Sequence, residues 1–150
     1  MKLSEILSPS LISLELEATD KDELFEEMVS LFTRQGLLPD RTAAIRQLKD
    51  REAKMTTGIT RWVAFPHAKL EGVKNVVVAL GISHSGIDYD ALDKQPVYVV
   101  LMVFSEAGNP GPHIQLLAEM SRIFSIEGFT KSLRQARTAQ EVLNLIAREE

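Results

Sequence analysis

Two uninterrupted apolar runs of strand length, Val76–Ile82 and Val97–Phe104, lie among amphipathic helical segments. Together they predict an α/β fold, a three-layer α/β/α sandwich with a mixed β-sheet of about four to five strands flanked by helices. Runs that are apolar at every position and rich in β-branched residues suit central strands covered on both faces. Composition agrees with a packed interior. With 150 residues, 45% of them hydrophobic and 25% charged, the chain can bury one substantial core and needs no second. Residues 1–150 are therefore read as a single domain with its core at about 4–148.

Taken in order, Leu3 to Leu7 reads as a short helical turn stopped by Pro9. Leu11–Leu16 alternates Ile12, Leu14 and Leu16 with Ser13 and Glu15, the pattern of a half-buried strand. Thr19 and Asp22 have the form of a capping box, and Leu24, Phe25, Met28, Leu31 and Phe32 follow at helical spacing until Gly36 offers a stop. Asp40 can cap a second helix with Ala44, Ile45 and Leu48 on one face, expected to reach about Glu52 before the Thr/Gly turn at 56–58. A short apolar strand then runs into a corner at Pro66-His67, which places an imidazole where the strand gives out. Between the two long strands, Ser83–Gln95 is polar and turn-prone.

The segment Glu106–Pro112 holds two glycines and two prolines and reads as a loop. From Pro112 or His113 a helix is expected, with Ile114, Leu117, Ala118, Ser121 and Phe124 on one face. Leu116, Met120 and Ile123 widen that stripe, so the helix should be mostly buried. Two more helices follow, one around Phe129–Ala136 and one opened by a Thr138/Glu141 capping box with Val142, Leu145 and Ile146 inward.

Several function classes are disfavoured. A formal net charge of −4 and a pI near 5.4 argue against a nucleic-acid binder, which usually carries a Lys/Arg excess to displace phosphate counterions. Cysteine is absent, which removes disulfides, thiolate zinc sites and thiol catalysis and fits a reducing compartment. The start Met1-Lys2-Leu3-Ser4-Glu5 resembles neither a signal nor a transit peptide, and the run Val97–Phe104 falls far short of the roughly 20 residues of a membrane span. The chain is read as cytoplasmic, with no direct membrane insertion. No His-x-x-x-His pair, Gly-x-Ser-x-Gly elbow or Gly-x-x-x-x-Gly-Lys loop occurs, so no metal and no cofactor is expected.

Three histidines remain as candidates for chemistry near neutral pH. His84 lies in the polar stretch Ser83–Gly86 and reads as a solvated surface residue. His113 stands in the first turn of the apolar helix, where the positive end of the helix dipole favours a neutral imidazole. It serves either a site or a local carbonyl. His67 follows Pro66, which holds Phe65 extended and so fixes the direction of the imidazole. It is either a transfer residue or a corner histidine satisfying backbone groups.

The blocks around these histidines resemble the enzyme IIA domains of the bacterial phosphotransferase system, of the fructose and mannitol class that includes the nitrogen-regulatory IIA proteins. Arg51-Glu52, Thr56-Thr57-Gly58-Ile59 and Ala64-Phe65-Pro66-His67-Ala68 are similar to that family's signature at matching spacing. Gly86-Ile87-Asp88-Tyr89, Asp93–Val97 and His113–Ala118 follow its later blocks in the same order. The opening Met1–Leu7 and the length resemble the freestanding nitrogen-regulatory and fructose branches.

The resemblance implies that His67 accepts a phosphoryl group on Nε2 from HPr or an HPr-like carrier. The group then passes to a IIB component or acts as a regulatory signal. It implies that His113 donates a hydrogen bond to the phosphoryl oxygens, beside backbone N–H groups of a helix start. Arg51 either neutralises phosphate charge or pairs with a carboxylate at its helix end. Thr57 either supplies a hydroxyl or holds the turn before Gly58. One departure stands out: Thr60-Arg61-Trp62 replaces the usual Gly-x-Gly, where positive φ would strain Thr and Trp, so the loop is expected to take another path. Trp62 is either an interface anchor or a gap filler, and the alternative function is a non-transferring regulatory module that binds partners through Thr60-Arg61-Trp62.

Overall fold

The two apolar runs pair with each other, and the other elements are arranged around that pair. The computed structural model describes residues 2–59 and 61–150. Its elements run α1 (Leu3–Ile6), a 3-10 turn (Pro9–Leu11), β1 (Ile12–Ser13), α2 (Lys21–Arg34), α3 (Arg41–Lys54), β2 (Val63–Ala64) and β3 (His67–Leu70). Then follow β4 (Val76–Ile87), β5 (Val97–Glu106), α4 (Pro110–Phe124), α5 (Phe129–Arg134) and α6 (Ala139–Arg148). β4 and β5 are antiparallel, β1 lies parallel to β4, and β2 and β3 follow one another parallel to the far side of β5. The sheet is therefore mixed and the sandwich is the one expected. No helix among the described residues is long and apolar enough to cross a membrane.

Each face of the sheet is sealed by aromatic contacts. Phe32 of α2 meets Phe104 edge to face at 5.2 Å, while Phe65 meets Phe124 of α4 at 6.0 Å and Phe124 meets Phe129 at 5.1 Å. α2 packs on α3, and α1, α4, α5 and α6 pack on one another. Position-by-position alternation on β5 thus sends Phe104 to the α2 layer and Val103 to the α4 layer. His67 is paired with Val103 and shares its direction.

Local chemistry sets the helix ends. Asp20 Oδ1 accepts the Glu23 N–H at 2.8 Å and the Glu23 carboxylate accepts the Thr19 N–H at 2.8 Å, so the capping box sits at Asp20/Glu23 rather than Thr19/Asp22. Both residues are good caps, and the phase that buries Leu24, Phe25 and Met28 selects the later one. Gly36, at φ 68°, closes α2 with Leu37 N–H bonded to Phe32 O and Gly36 N–H bonded to Thr33 O, a Schellman motif. Asp40 caps α3 through the Ala43 N–H at 3.1 Å. That helix continues past Glu52 to Lys54, because Glu52 extends the buried stripe of Ala44 and Leu48.

Five further expectations are corrected. Only Ile12–Ser13 of the Leu11–Leu16 stretch is a strand, since the 3-10 turn occupies Pro9–Leu11. Ser83–Gly86 belongs to β4, with the register broken between Ile82 and Ile87; Ser83 is fully buried and its hydroxyl accepts the Gly86 N–H. α4 begins at Pro110, because prolines fit a first helical turn whose N–H groups have no helical acceptor. Its buried face is His113, Leu116, Met120, Ile123 and Phe124, leaving Ile114 63% exposed. Finally, the strand does not end at the Pro-His corner. β2 stops at Ala64, Pro66 lacks the N–H a ladder needs, and pairing with β5 resumes at His67, the first residue of β3.

Candidate functional site

His67 is oriented by its own backbone. Its Nδ1 lies 2.8 Å from the Phe65 carbonyl, which can only accept, so the proton sits on Nδ1 and Nε2 is bare. Pro66 biases the preceding Phe65 toward extended backbone. The His113 ring stands 5.0 Å from that of His67, tilted by 59°. His113 is buried in the first turn of α4, and its Nδ1 has no hydrogen-bond partner among the described residues.

Both imidazoles are held neutral. Burial lowers the pKa of His67, and Arg51 acts in the same direction, against the Phe65 hydrogen bond and Glu52. Burial, then His67, Lys69 and Arg51, bring His113 down to about 4. The neutral state expected of His113 is present. Its chief cause is desolvation, with His67, Lys69 and Arg51 following.

Arg51 comes from the last turn of α3 and donates Nη1–H to the Met55 carbonyl at 2.9 Å, closing the helix. It has no carboxylate partner within salt-bridge distance among the described residues. The two histidines and Arg51 share one cleft of about 430 Å³, also lined by Gln47, Asp50, Lys54, Ala68 and Lys69. Three cations face one carboxylate there, so an otherwise acidic protein offers an anion-attracting cleft. The cleft can draw on both helical layers because β3 is an edge strand, with α3 packed against it and His113 of α4 beside it. Sequence reading passed over Lys69. It lies two residues after His67 on β3 and so shares its face, but that strand was not foreseen past the Pro-His corner.

Thr57 is elsewhere. It is buried, and its hydroxyl contacts Glu52 and, at 2.8 Å, the Tyr89 hydroxyl, so it holds the turn instead of lining the cleft. His84 is exposed, as read, and adds one contact, Nε2 at 3.0 Å from the Leu14 carbonyl. Among the described residues no group of three or more His, Cys, Asp or Glu side chains could hold a metal ion.

Arg61 and Trp62 of the departure also lie away from the cleft. Thr60 is outside the described residues. The expectation that the loop avoids positive φ is corrected at Trp62, which has φ 69° with its carbonyl held by two N–H groups of β5, and the Arg61 guanidinium lies 4.1 Å from its ring centroid. The Trp62 carbonyl accepts the Tyr98 and Val99 N–H groups, whereas His67 pairs with Val103. At about 3.3 Å per residue, four or five positions separate the two by roughly 15 Å along the edge.

Comparison with known proteins identifies the family. Residues 5–149 match the family described as phosphoenolpyruvate-dependent sugar phosphotransferase system, EIIA 2. A PTS system fructose-specific EIIABC component of Bacillus subtilis is 34% identical over 97% of this chain, which spans only 23% of that protein's length. A PTS system fructose-specific EIIA component of Haloferax volcanii is 34% identical over 97% of this chain and 94% of its own. The crystal structure of nitrogen regulatory protein IIA-Ntr from Neisseria meningitidis superposes with a TM-score of 0.89 at 29% identity, covering 96% of this chain and 98% of that one. The chain belongs to the EIIA 2 family of the phosphoenolpyruvate-dependent sugar phosphotransferase system.

Proposed function

We propose that this protein is a phosphocarrier in which His67 Nε2 takes a phosphoryl group from HPr or an HPr-like protein. The group is then handed to a IIB partner or kept as a regulatory signal. The observation that carries the reading is a neutral His67 locked through Nδ1 onto Phe65, set 5.0 Å from a second neutral imidazole in a cationic cleft.

The Nε2 lone pair attacks the phosphorus of the donor's phosphohistidine. The new N–P bond forms as the donor's N–P bond breaks, and the electron pair returns to the donor imidazole. Little covalent work falls to the protein, so alignment and charge on the equatorial oxygens decide the rate. Arg51 and Lys69 supply that charge, and His113 donates an N–H. The backbone share is small, because Pro110 and Pro112 remove two N–H groups from the first turn of α4. Side chains therefore do more of the stabilisation here than a helix start ordinarily would.

Incubation with phosphoenolpyruvate, enzyme I and the cognate HPr-like carrier should yield an acid-labile, base-stable phosphate on the protein that is absent in His67→Ala. Failure of the wild type to label, or label persisting in His67→Ala, overturns the reading.

A further inference from the structure

Glu52 is the one charged residue on the buried stripe of α3, following Ala44 and Leu48, and only 9% of it is exposed. A bare buried carboxylate is costly, and an apolar side chain would suit that stripe better. This one is heavily partnered. It accepts the Thr57 N–H at 3.2 Å, the Thr57 hydroxyl, the Tyr89 hydroxyl at 2.8 Å and the Lys21 ammonium at 3.1 Å. The donors come from the start of α2, from the turn after α3 and from the segment after β4. Lys21 also lies over the Tyr89 ring at 4.6 Å.

What this carboxylate grips leads to the imidazole. Its neighbour Arg51 holds the carbonyl of Met55, and Glu52 itself holds the N–H of Thr57, so the turn is tied at both ends. Gly58 fits under Tyr89 because a Cβ there would come within 2.9 Å of the ring. The Thr57 carbonyl then accepts the Phe65 N–H at 3.2 Å, and the Phe65 carbonyl accepts the His67 Nδ1–H at 2.8 Å. Three hydrogen bonds, joined through the backbones of Thr57 and Phe65, link the carboxylate to the ring.

We infer that Glu52 is a positioning residue, setting the tautomer and orientation of His67 through the backbone of Thr57 and Phe65. This rests on the phosphocarrier reading for its consequence, since only the Nδ1–H tautomer leaves Nε2 free to attack. Free histidine in water favours the opposite tautomer, with the proton on Nε2. Releasing the Phe65 carbonyl therefore moves His67 toward a form that is not nucleophilic at that atom.

The test reads the imidazole nitrogens of His67 by 15N NMR in the unphosphorylated protein, beside the rate of phosphoryl acceptance. Wild type should show a protonated Nδ1 and a bare Nε2. Glu52→Leu, which fills the stripe but leaves the Thr57 N–H unpaired, should shift His67 to a tautomer mixture and slow acceptance at least ten-fold. Glu52→Gln keeps an acceptor for Thr57 and should retain the wild-type tautomer. Tyr89→Phe, which removes a different donor, should lower stability and leave the tautomer alone.

A Glu52→Leu protein with wild-type tautomer and rate overturns the assignment, as does Tyr89→Phe shifting the tautomer equally. If Glu52→Leu does not fold, Glu52→Asp decides. One methylene shorter, its carboxylate falls short of the Thr57 N–H that Glu52 meets at 3.2 Å, so a wild-type tautomer and rate there overturn the assignment too. Because the tautomer is read without any donor protein, label persisting in His67→Ala would sink the phosphocarrier reading while leaving the role of Glu52 to stand or fall on the spectra.

Discussion

The edge of the sheet made by β2 and β3 has two ends that differ in kind. At the β3 end, His67 has ordinary backbone but a side chain held by a hydrogen bond, a facing imidazole and burial. At the β2 end, Trp62 has a left-handed backbone that costs a bulky residue about 1–2 kcal/mol, while its half-buried ring meets the exposed Arg61. The block Ala64–Ala68 that carries the resemblance reaches into the first end, and Arg61-Trp62, which depart from it, lie at the second. Constraint sits on side chains where a phosphoryl group would be handled, and the chain tolerates backbone strain where it would not.

The largest effect expected is at His113. His113→Ala should slow phosphoryl acceptance about 10²–10³-fold, as loss of one preorganised donor usually does, with the His67 tautomer unchanged. A wild-type rate would place the chemistry outside this pair.

Acid should act on the same end. His113 has its pKa lowered to about 4 by burial first and by His67, Lys69 and Arg51 next, so the unfolded chain binds the proton more readily. Stability should be intact above about pH 6.5 and fall as the pH drops toward 4, by on the order of 3 kcal/mol, with His67 adding in the same direction. Urea unfolding at pH 7 and pH 4.5 measures it, and His113→Gln should remove most of the loss. An equal loss in His113→Gln would assign the acid sensitivity to other groups.

Next in size is Arg51→Gln, expected to cost about ten-fold in acceptance for a lost charged hydrogen bond. The pKa of His113 should rise in an NMR titration, since one of the cations depressing it is gone. An unmoved pKa would mean that Arg51 does not act on the pair.

The smallest effect belongs to the other end. Trp62→Gly relieves the left-handed strain and deletes a cation–π contact of about 0.5–1 kcal/mol. Stability should change by no more than about 1 kcal/mol, with acceptance at His67 within two-fold of wild type. A ten-fold fall would show that the two ends are coupled and break the comparison.

Much of the fold was legible from local patterns. β5 and the apolar half of β4, the α2 stripe with its Gly36 stop, the Asp40 cap and the Thr138/Glu141 box of α6 all stand where the residues indicated. Arg51, His67 and His113 were legible as separate motifs, and they meet. Glu52 was visible only as part of a motif, because its partners Lys21 and Tyr89 lie 31 and 37 residues away. Ser83–Gly86 looked like a loop because polar residues in a strand conceal how the strand satisfies them. The residues pointed to a loop that avoids positive φ at Trp62, whereas the backbone is left-handed there and its carbonyl accepts the Tyr98 and Val99 N–H groups, away from the cleft.

By itself the sequence determined the alternation of helices and strands, the caps, the stiff approach of Phe65-Pro66 to His67 and the placing of His113 at a helix start. Those features depend on residues a few positions apart, and short-range sterics and hydrogen bonding specify them. Tertiary structure alone decided that residues 51, 67 and 113 share one cleft, that a second strand begins at His67, and that Thr57 turns inward to Glu52 and Tyr89. These follow from the register that sets His67 against Val103 and from the edge position of β3, where both helical layers come within reach. Such pairings are selected by burial of the whole sheet and are invisible to any local pattern.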